Sequence, residues 1–269
     1  MAVEISLTAS MRSNLISLQQ TNNLIQTTQN KLATGKKVNT ALDNPTNFFI
    51  AAAHTKRAGD FSLRKDGMAE AIQAIKAADN GITGLKTLLE AASGLVESAR
   101  SGTSTDRSAL ATQFSAVLTQ ITTMVSDSKY KGTNFLTHGS LSVAFNADGT
   151  SSLTIQGFSS DASSLGVSLA TATFTADASL DAAASQITVA LTTLATESSK
   201  LGSNLAIVNT RLDFTIGLVA NEQGGADNLT LADMNEESAN MLSLQTRQNL
   251  GITSMSLANQ ANQSILRLF

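Results

Sequence analysis

Apolar residues recur at alternating spacings of four and three along much of this chain, the period of a helix that packs along a seam. The first such segment begins near residue 11 and stops at Gly35, a residue type that commonly follows a helix. Its seam positions are Met11, Leu15, Leu18, Asn22, Ile25, Gln29 and Leu32. The pattern therefore predicts a long amphipathic first helix.

Two more helices are predicted in the N-terminal half. The second runs from Pro45 to Ser101, with Asp43 or Asn44 as its N-cap, because proline is well suited to the first turn of a helix. A third helix follows the turn SGTSTD and should fold back on the second as a hairpin. Its stripe consists of Leu110, Phe114, Val117, Ile121 and Met124.

Between residues 138 and 179 the apolar period changes from helical to two, which is typical of strands. Leu141, Val143 and Phe145 alternate with polar residues, and Leu153 and Ile155 do so again after the turn sequence NADGT. This predicts a β-hairpin. The following sequence GVSLATATFTADA predicts a second one.

The helical period returns near Ile187 and predicts two more helices. The first should end before the glycine-rich sequence NEQGGADN at 221–228, where the two adjacent glycines are interpreted as a hinge. The last helix covers 234–269 and includes many polar seam positions. They are Ser238, Gln245, Gln248, Asn259 and Asn262. A seam with so many polar members is weak alone, so both chain ends should need partners to become ordered.

Composition favours an elongated helical body over a globular core. Among the 269 residues, aromatics make up 4%, there is one proline, and cysteine and tryptophan are absent. Without cysteine the chain can form neither disulfides nor a thiolate zinc site. The net charge of −3 argues against a nucleic-acid partner, and no apolar stretch is long enough to span a membrane. The N-terminus lacks a cleavable signal pattern, so export would use another route.

Candidate chemistry is sparse. The two histidines, His54 and His138, lie 84 residues apart, and neither belongs to a His-Glu-x-x-His motif. No P-loop or Gly-x-Gly-x-x-Gly sequence occurs. We therefore interpret both histidines as incidental surface residues and expect no catalytic site, no metal and no cofactor.

Four sequence motifs in order resemble those of bacterial flagellins, over almost the whole chain except roughly 137–185. They are NKLATGKKVNTALDNPTNFFIAAA, KYKGTNFL, KLGSNLAIVNTRLDF and the C-terminal DMNEESANMLSLQTRQNLGITSMSLANQANQSILRLF. The chain departs from the family at Asn44 and Pro45, where aspartate and alanine are common. Its insert is also short, so a large outer domain is not expected.

The resemblance implies a mainly α fold, a long coiled-coil-like bundle of N- and C-terminal segments with a small β-hairpin insert. It also implies five regions. These are inner-tube helices at 1–42 and 229–269, rod helices at 43–136 and 186–228, and a variable outer insert at 137–185. We expect a structural subunit of the extracellular flagellar filament, exported unfolded by the flagellar type III apparatus and folded on assembly.

The implied partners are other copies of the chain, the export apparatus, an export chaperone, the filament cap and hook-junction proteins. Residues expected to carry assembly are Leu15, Leu18, Ile25, Leu32, Met234, Met241, Ile252, Met255, Leu266 and Phe269.

Asn259 and Asn262 either line a central channel or, like Asn22 and Gln29, fix helix register through amide hydrogen bonds. Segment 89–100 lacks the family's arginine pattern for innate-immune recognition, so strong receptor activation is not expected.

Charge is distributed unevenly along the chain. Most of the charged residues in 31–65 are lysine or arginine, whereas 212–246 contain no lysine or arginine. One hypothesis is that these stretches pair within or between subunits, and the alternative is two solvated surfaces. The pairing candidates are Lys36, Lys37, Arg57, Asp233, Glu236 and Glu237.

Other functions also stay open: a hook–filament junction protein of the same superfamily, a secreted helical adhesin, or an enzyme with a site in the β insert.

Overall fold

The computed structural model describes residues 9–168 and 173–266 of the chain. Within them lie five α-helices and one small antiparallel sheet. The elements are α1 (Ala9–Thr34), α2 (Pro45–Ser101), α3 (Ser104–Asp127), β1 (Ser140–Ala144), β2 (Ser152–Gln156), α4 (Asp177–Thr230) and α5 (Met234–Leu266). The predicted mainly α fold with a β-hairpin is confirmed.

Packing divides the chain into two compact units. Unit 1 consists of residues up to 56 and from 221 onwards, and unit 2 consists of residues 57–220. Helices α2 and α4 each contribute residues to both units. The five predicted regions have other boundaries and stay a prediction.

The structure overturns the predicted end of α4. This helix begins at Asp177 and runs without a break through Gly224 and Gly225 to Thr230, so the hinge interpretation is wrong. Each glycine costs a helix about 1 kcal/mol relative to alanine, which packing can offset. At Gly225 the ring of His54 lies 3.6 Å from where a Cβ would be, an ordinary contact distance, so the start of α2 packs beside this turn of α4.

The core of unit 2 forms where α2, α3 and α4 bury their apolar stripes against each other and against the segment around Phe135. Two α2 glycines permit close approach at this point. A Cβ on Gly81 would lie 2.7 Å from the Leu136 side chain, and one on Gly84 would lie 2.7 Å from the sulfur of Met124. These two glycines therefore make room for the side chains that pack on α2.

The β-hairpin pairs β1 with β2 in antiparallel register, with Leu141 opposite Ile155 and Val143 opposite Leu153. Ile155 and Val143 are buried in the unit 2 core. The second predicted hairpin falls partly on residues 169–172, outside the described residues. The described residues on either side, 166–168 and 173–176, form no strand.

Asn134 joins the end of α3 to the segment that leads into the hairpin. Its side-chain amide donates to the Val125 carbonyl at 2.6 Å and its side-chain carbonyl accepts from the Leu136 N–H at 2.9 Å. Asn134 is itself buried. Both bonds therefore form away from water, where a donor or acceptor without a partner lowers the stability of the fold.

Replacing Asn134 by alanine is expected to lower the free energy of unfolding by about 2–4 kcal/mol, because two buried backbone groups lose their partner. Urea denaturation followed by circular dichroism measures this. Asn80→Ala, at an exposed position in α2, is the control and should unfold close to the wild type. An Asn134→Ala midpoint equal to that of the control would contradict this account of the α3 C-terminus.

Candidate assembly surface

Helices α1 and α5 pack antiparallel in unit 1. The Gln248 amide donates to the Asn22 side-chain carbonyl at 2.6 Å, and the Lys31 ammonium lies 2.8 Å from a Glu237 carboxylate oxygen. As the α1 position rises from 22 to 31, its partner in α5 falls from 248 to 237. The first and last helices therefore pack against each other, which the helical pattern of both segments permits.

The seam between the two helices has the predicted spacing but a different phase. In α1 the buried and half-buried positions are Met11, Asn14, Leu18, Thr21, Ile25, Thr28 and Leu32. In α5 they are Glu237, Met241, Leu244, Gln248, Gly251, Met255, Ala258 and Asn262. In both helices every second position lies one residue earlier than the sequence predicted.

Small side chains explain the observed phase. A Cβ on Gly251 would lie 2.9 Å from Leu18, so glycine lets this leucine approach the α5 backbone. Ala258, another small residue, lies two turns further along the same face of α5. The predicted phase would have put Ile252 and Asn259 at these positions. The observed phase therefore depends on the close approach of the two backbones and not on apolar character alone.

The predicted assembly residues divide into two groups. Within the seam lie Leu18, Ile25, Leu32, Met241 and Met255. Leu15, Met234 and Ile252 lie outside it and are 40%, 45% and 55% exposed. The side chain of Leu266 and the whole of Phe269 fall outside the described residues. The role of all ten in assembly stays a prediction.

A further apolar row lies on the face of α5 that points away from α1. Leu242, Leu250 and Leu257, here called the outer leucine stripe, follow each other at eight and seven residues and are 67%, 64% and 62% exposed. In α1, Ile16 and Leu24 are also more than half exposed. The spacing of this stripe is visible in the sequence, but the stripe was not predicted because only one seam was assigned to each helix.

The connections between helices in unit 1 are held to each other by backbone bonds. Gly35 ends α1 with a φ of +69°, which glycine adopts without strain. The Lys37 N–H then donates to the Thr230 carbonyl at 2.7 Å, and the Ala232 N–H donates to the Gly35 carbonyl at 3.0 Å. The Lys37 ammonium also donates to the Asn228 carbonyl at 3.1 Å.

The start of α2 settles which residue caps it. The Asn44 side-chain carbonyl accepts from the Asn47 N–H at 3.0 Å, so Asn44 is the cap. Asp43 instead accepts from the backbone N–H groups of Thr40 and Asn39, and these bonds, Thr40 first, lower the pKa of Asp43. A lowered pKa favours the folded loop while Asp43 is ionised, a contribution lost as the pH falls through that pKa.

The other predicted charge partners lie in several different places in the structure. Asp233 accepts from the N–H groups of Asn235 and Glu236 and so caps α5. Lys36 is exposed and forms a backbone bridge with Leu231. Arg57 lies in unit 2 on an exposed part of α2. Glu237 forms the ion pair with Lys31 described above. The wider pairing stays a prediction.

His54 corrects the interpretation of the histidines as incidental surface residues. Its Nδ1 lies 2.5 Å from a Glu222 carboxylate oxygen, and the two side chains are 27% and 17% exposed. This pair ties the start of α2 to the end of α4 within unit 1. The described residues contain no group of three potential metal ligands among histidine, aspartate and glutamate, and no described helix is long and apolar enough to cross a membrane.

The predicted channel residues take different positions in the α1–α5 pair. Asn262 is half-buried, and its amide donates to the Met11 sulfur at 3.1 Å. Asn259 is exposed beside an open groove that Leu18 and Met255 also line. A channel-lining role for either asparagine stays a prediction.

The N-terminal and C-terminal parts of the chain both match models of the same protein family. Residues 5–140 match the bacterial flagellin N-terminal helical region, and residues 180–269 match the bacterial flagellin C-terminal helical region. Flagellin FljM of Caulobacter vibrioides is 32% identical over 260 residues, which is 95% of this chain and 94% of the relative. The flagellin of Brucella melitensis is 27% identical over 277 residues, 95% of each chain.

Among solved structures, the crystal structure of Bacillus cereus flagellin aligns with a TM-score of 0.49 at 16% identity. The alignment covers 55% of this chain and 88% of that one.

Proposed function

This chain belongs to the bacterial flagellin family, and from that premise we propose that it polymerises into the flagellar filament through the outer surfaces of the α1–α5 pair. The observation that carries the proposal is the outer leucine stripe. Leu242, Leu250 and Leu257 are all more than 60% exposed on one face of α5. Three large apolar side chains exposed along one face of a helix favour a surface that another protein covers.

Other copies of the chain are the proposed occupants. Contacts between unlike surfaces of identical subunits give a helical polymer when the rotation between neighbours does not close into a ring. The outer leucine stripe of α5 and the exposed Ile16 and Leu24 of α1 supply two such unlike surfaces. Length is then limited by subunit supply.

Folding coupled to assembly follows from the weak α1–α5 seam. Asn14, Thr21, Gln248 and Asn262 occupy seam positions where a stable pair would have apolar side chains. A helix pair with little apolar burial is marginal by itself and gains stability when neighbours cover it. We therefore propose export as an unfolded chain through the flagellar apparatus, with a chaperone, the cap and the hook-junction proteins as partners.

The proposed architecture keeps the regions expected from the family. The helices at 1–42 and 229–269 form the inner tube, with Asn259 and Asn262 facing its channel. Segments 43–136 and 186–228 form the rod, and 137–185 the outer insert. The filament is extracellular, and the subunit has a structural and not a catalytic role.

Charge pairing between subunits is proposed for Glu236. Among the described residues its carboxylate makes no hydrogen bond or ion pair, whereas Glu237 is bound to Lys31 in its own subunit. Exposed Lys36 supplies a candidate partner on a neighbouring copy. A pair at an interface is less accessible to water than one on a free surface, so its contribution is larger there.

Glu236→Lys is expected to raise the subunit concentration needed for polymerisation about three- to tenfold, while the free subunit melts as before. Sedimentation of seeded polymer measures the first quantity and circular dichroism the second. Glu237→Lys is the comparison variant: it breaks the half-buried pair with Lys31 and should lower the stability of the free α1–α5 pair itself. If Glu236→Lys polymerised at the same concentration as the wild type, the proposed charge pairing between subunits would be wrong.

Seeded polymerisation tests the proposed function directly. Purified subunits mixed with short sheared filaments should enter a sedimentable polymer above a sharp threshold concentration. Subunits that stay soluble at every concentration and salt condition would contradict a filament subunit and favour the junction protein or the adhesin.

A further inference from the structure

An open cavity lies in unit 2 between α2, β1 and the segment that follows α3. Its volume is about 380 Å³, and Leu63, Ala71, Ala74 and Val143 form an apolar wall on one side of it. Leu63 is 67% exposed, so this apolar wall extends to the surface of the molecule. A concave and partly apolar site of this size can accept a large side chain of another protein.

Two cationic side chains line the cavity, and they differ in their partners. The Lys131 ammonium lies 2.8 Å from a Glu70 carboxylate oxygen, which also accepts from the Tyr130 hydroxyl at 3.0 Å. Arg64 forms no ion pair with any residue that the structure describes. Its guanidinium makes one long hydrogen bond, 3.4 Å to the Ala147 carbonyl, and its Nε is buried without a hydrogen-bond partner. The cavity therefore suits a group that carries an anion beside an apolar body.

Helix α4 of the same unit carries such a group on its surface. The Phe214 side chain is 57% exposed, and the neighbouring Asp213 is exposed as well. Within the described part of the chain the Asp213 carboxylate makes no hydrogen bond or ion pair. Aromatic side chains that enter a pocket of the partner are typical anchors of protein interfaces.

Phe214 does not occupy the cavity of its own subunit. The residues that line the cavity belong to α2, to the segment 130–133 and to β1, and none belongs to α4. The hairpin contacts both helices, because Ala147 accepts from Arg64 of α2 and the Arg211 guanidinium of α4 lies 5.1 Å from the centre of the Phe145 ring. The cavity thus lies on the α2 side of the hairpin, and a phenylalanine that fills it must come from another molecule.

We propose that Asp213 and Phe214 of one subunit bind in this cavity of a second copy of the chain. The Phe214 ring packs on the apolar wall, and the Asp213 carboxylate pairs with Arg64. The inference rests on the proposed function, since a contact between two unlike surfaces can continue from subunit to subunit in a filament. Both surfaces belong to unit 2, so the contact adds to those of α1 and α5 and does not require these helices to be ordered in the free subunit.

Both sides of the contact include residues of sequence motifs to which assembly through α1 and α5 gives no role. Tyr130 and Lys131 belong to KYKGTNFL and line the cavity. Asp213 and Phe214 are the last two residues of KLGSNLAIVNTRLDF. The buried residues of these motifs, such as Phe135 and Val208, belong to the core of unit 2. The proposed contact gives a function to exposed residues that the core does not explain.

Truncation of Phe214 tests the apolar part of the contact. Phe214→Ala should raise the subunit concentration needed for seeded polymerisation about tenfold or more, because the ring is buried only in the polymer. Ile216→Ala is the matched control: Ile216 is 48% exposed on the same helix, but two residues further on it points away from Phe214. This control should polymerise within about twofold of the wild-type concentration. A Phe214→Ala variant that matches the control, with both variants folded by circular dichroism, would overturn the proposal.

Charge reversal tests the ionic part of the contact. Asp213→Arg alone and Arg64→Glu alone should each raise the threshold concentration about three- to tenfold, because each brings like charges together at the interface. The double variant with both changes restores an opposite pair and should polymerise within about threefold of the wild type. A double variant that is no better than the worse single variant would show that Asp213 does not meet Arg64.

Cysteine cross-linking tests which residues meet, since the chain contains no cysteine of its own. Phe214→Cys and Ala144→Cys subunits are mixed, seeded and mildly oxidised; Ala144 lines the cavity. We expect a disulfide-linked dimer in this mixture and little in a control mixture of Ile216→Cys with Ala144→Cys. Equal yields in the two mixtures would overturn the proposed contact, although filaments that still form would leave the proposed function intact.

Failure of the proposed function gives a different result. If wild-type subunits never polymerise, the filament proposal fails, and the same oxidation is then carried out on concentrated soluble subunits. A higher yield from Phe214→Cys with Ala144→Cys than from the Ile216→Cys control mixture would still support the contact. Equal yields there would overturn it.

Discussion

Replacing Leu242, Leu250 and Leu257 together by glutamine is expected to abolish polymerisation while leaving the free subunit folded. These side chains are between 62% and 67% exposed, so each substitution should change the free subunit's stability by less than about 0.5 kcal/mol. In a filament the same three side chains would be buried. Fully burying a leucine contributes about 1.5–3 kcal/mol, so the triple change removes several kcal/mol from each contact.

Circular dichroism, thermal melting and seeded sedimentation assays of the triple glutamine variant check both halves of this prediction. A triple methionine variant at the same positions is the matched control, because it keeps the apolar character and approximate volume and should still polymerise. Filament formation by the glutamine variant at wild-type concentrations would show that the outer leucine stripe is not the assembly surface.

Gly157→Ala is expected to destabilise unit 2 strongly. A Cβ at this position would lie 2.4 Å from the Phe135 carbonyl oxygen and 2.5 Å from the Gly139 carbonyl oxygen. Both are backbone atoms, so no side chain can rotate away. The Gly157 N–H also donates to the Gly139 carbonyl at 2.8 Å, and this bond must be displaced as well.

The expected loss in the free energy of unfolding for Gly157→Ala is about 3 kcal/mol or more, because strain and a broken backbone bond add. Gly202→Ala is the control: this helical glycine has no atom within 4 Å of a Cβ position, and alanine should stabilise α4 by about 0.5–1 kcal/mol. Urea titrations of both variants measure the difference. A Gly157→Ala variant as stable as wild type would mean that the hairpin does not lie against Phe135 as described.

Local patterns were sufficient to predict where most helices and the hairpin lie. The spacing of four and three located α1, α2, α3 and α5, and the change to a period of two located β1 and β2. The end of α4 could not be predicted in this way, because two adjacent glycines usually interrupt a helix. In the structure His54 packs beside Gly225. The sequence around residue 225 does not contain this contact between distant parts of the chain.

The phase of the α1–α5 seam was also beyond the sequence pattern. Both Ile252 and Gly251 are plausible seam residues by spacing, and apolar character favours Ile252. The structure places Gly251 inward because Leu18 needs the space that a side chain would fill. Choosing between the two phases therefore required knowledge of the partner helix.

Long-range polar pairs were predictable in kind but not in detail. The opposite charge of the two stretches predicted pairing, and Lys31 does meet Glu237. However, the sequence did not single out Lys31, and it gave no reason to expect His54 beside Glu222, 168 residues away. Such contacts depend on which turns of distant helices lie side by side.

Electron microscopy of negatively stained, seeded protein tests most directly whether the C-terminal helix carries polymerisation. The full chain should form filaments, whereas a chain ending before Met234 should remain as soluble subunits that keep the circular dichroism and exchange protection of unit 2. Filaments of the truncated chain, or no filaments of the full chain under any seeding or salt condition, would contradict assembly through the α1–α5 pair.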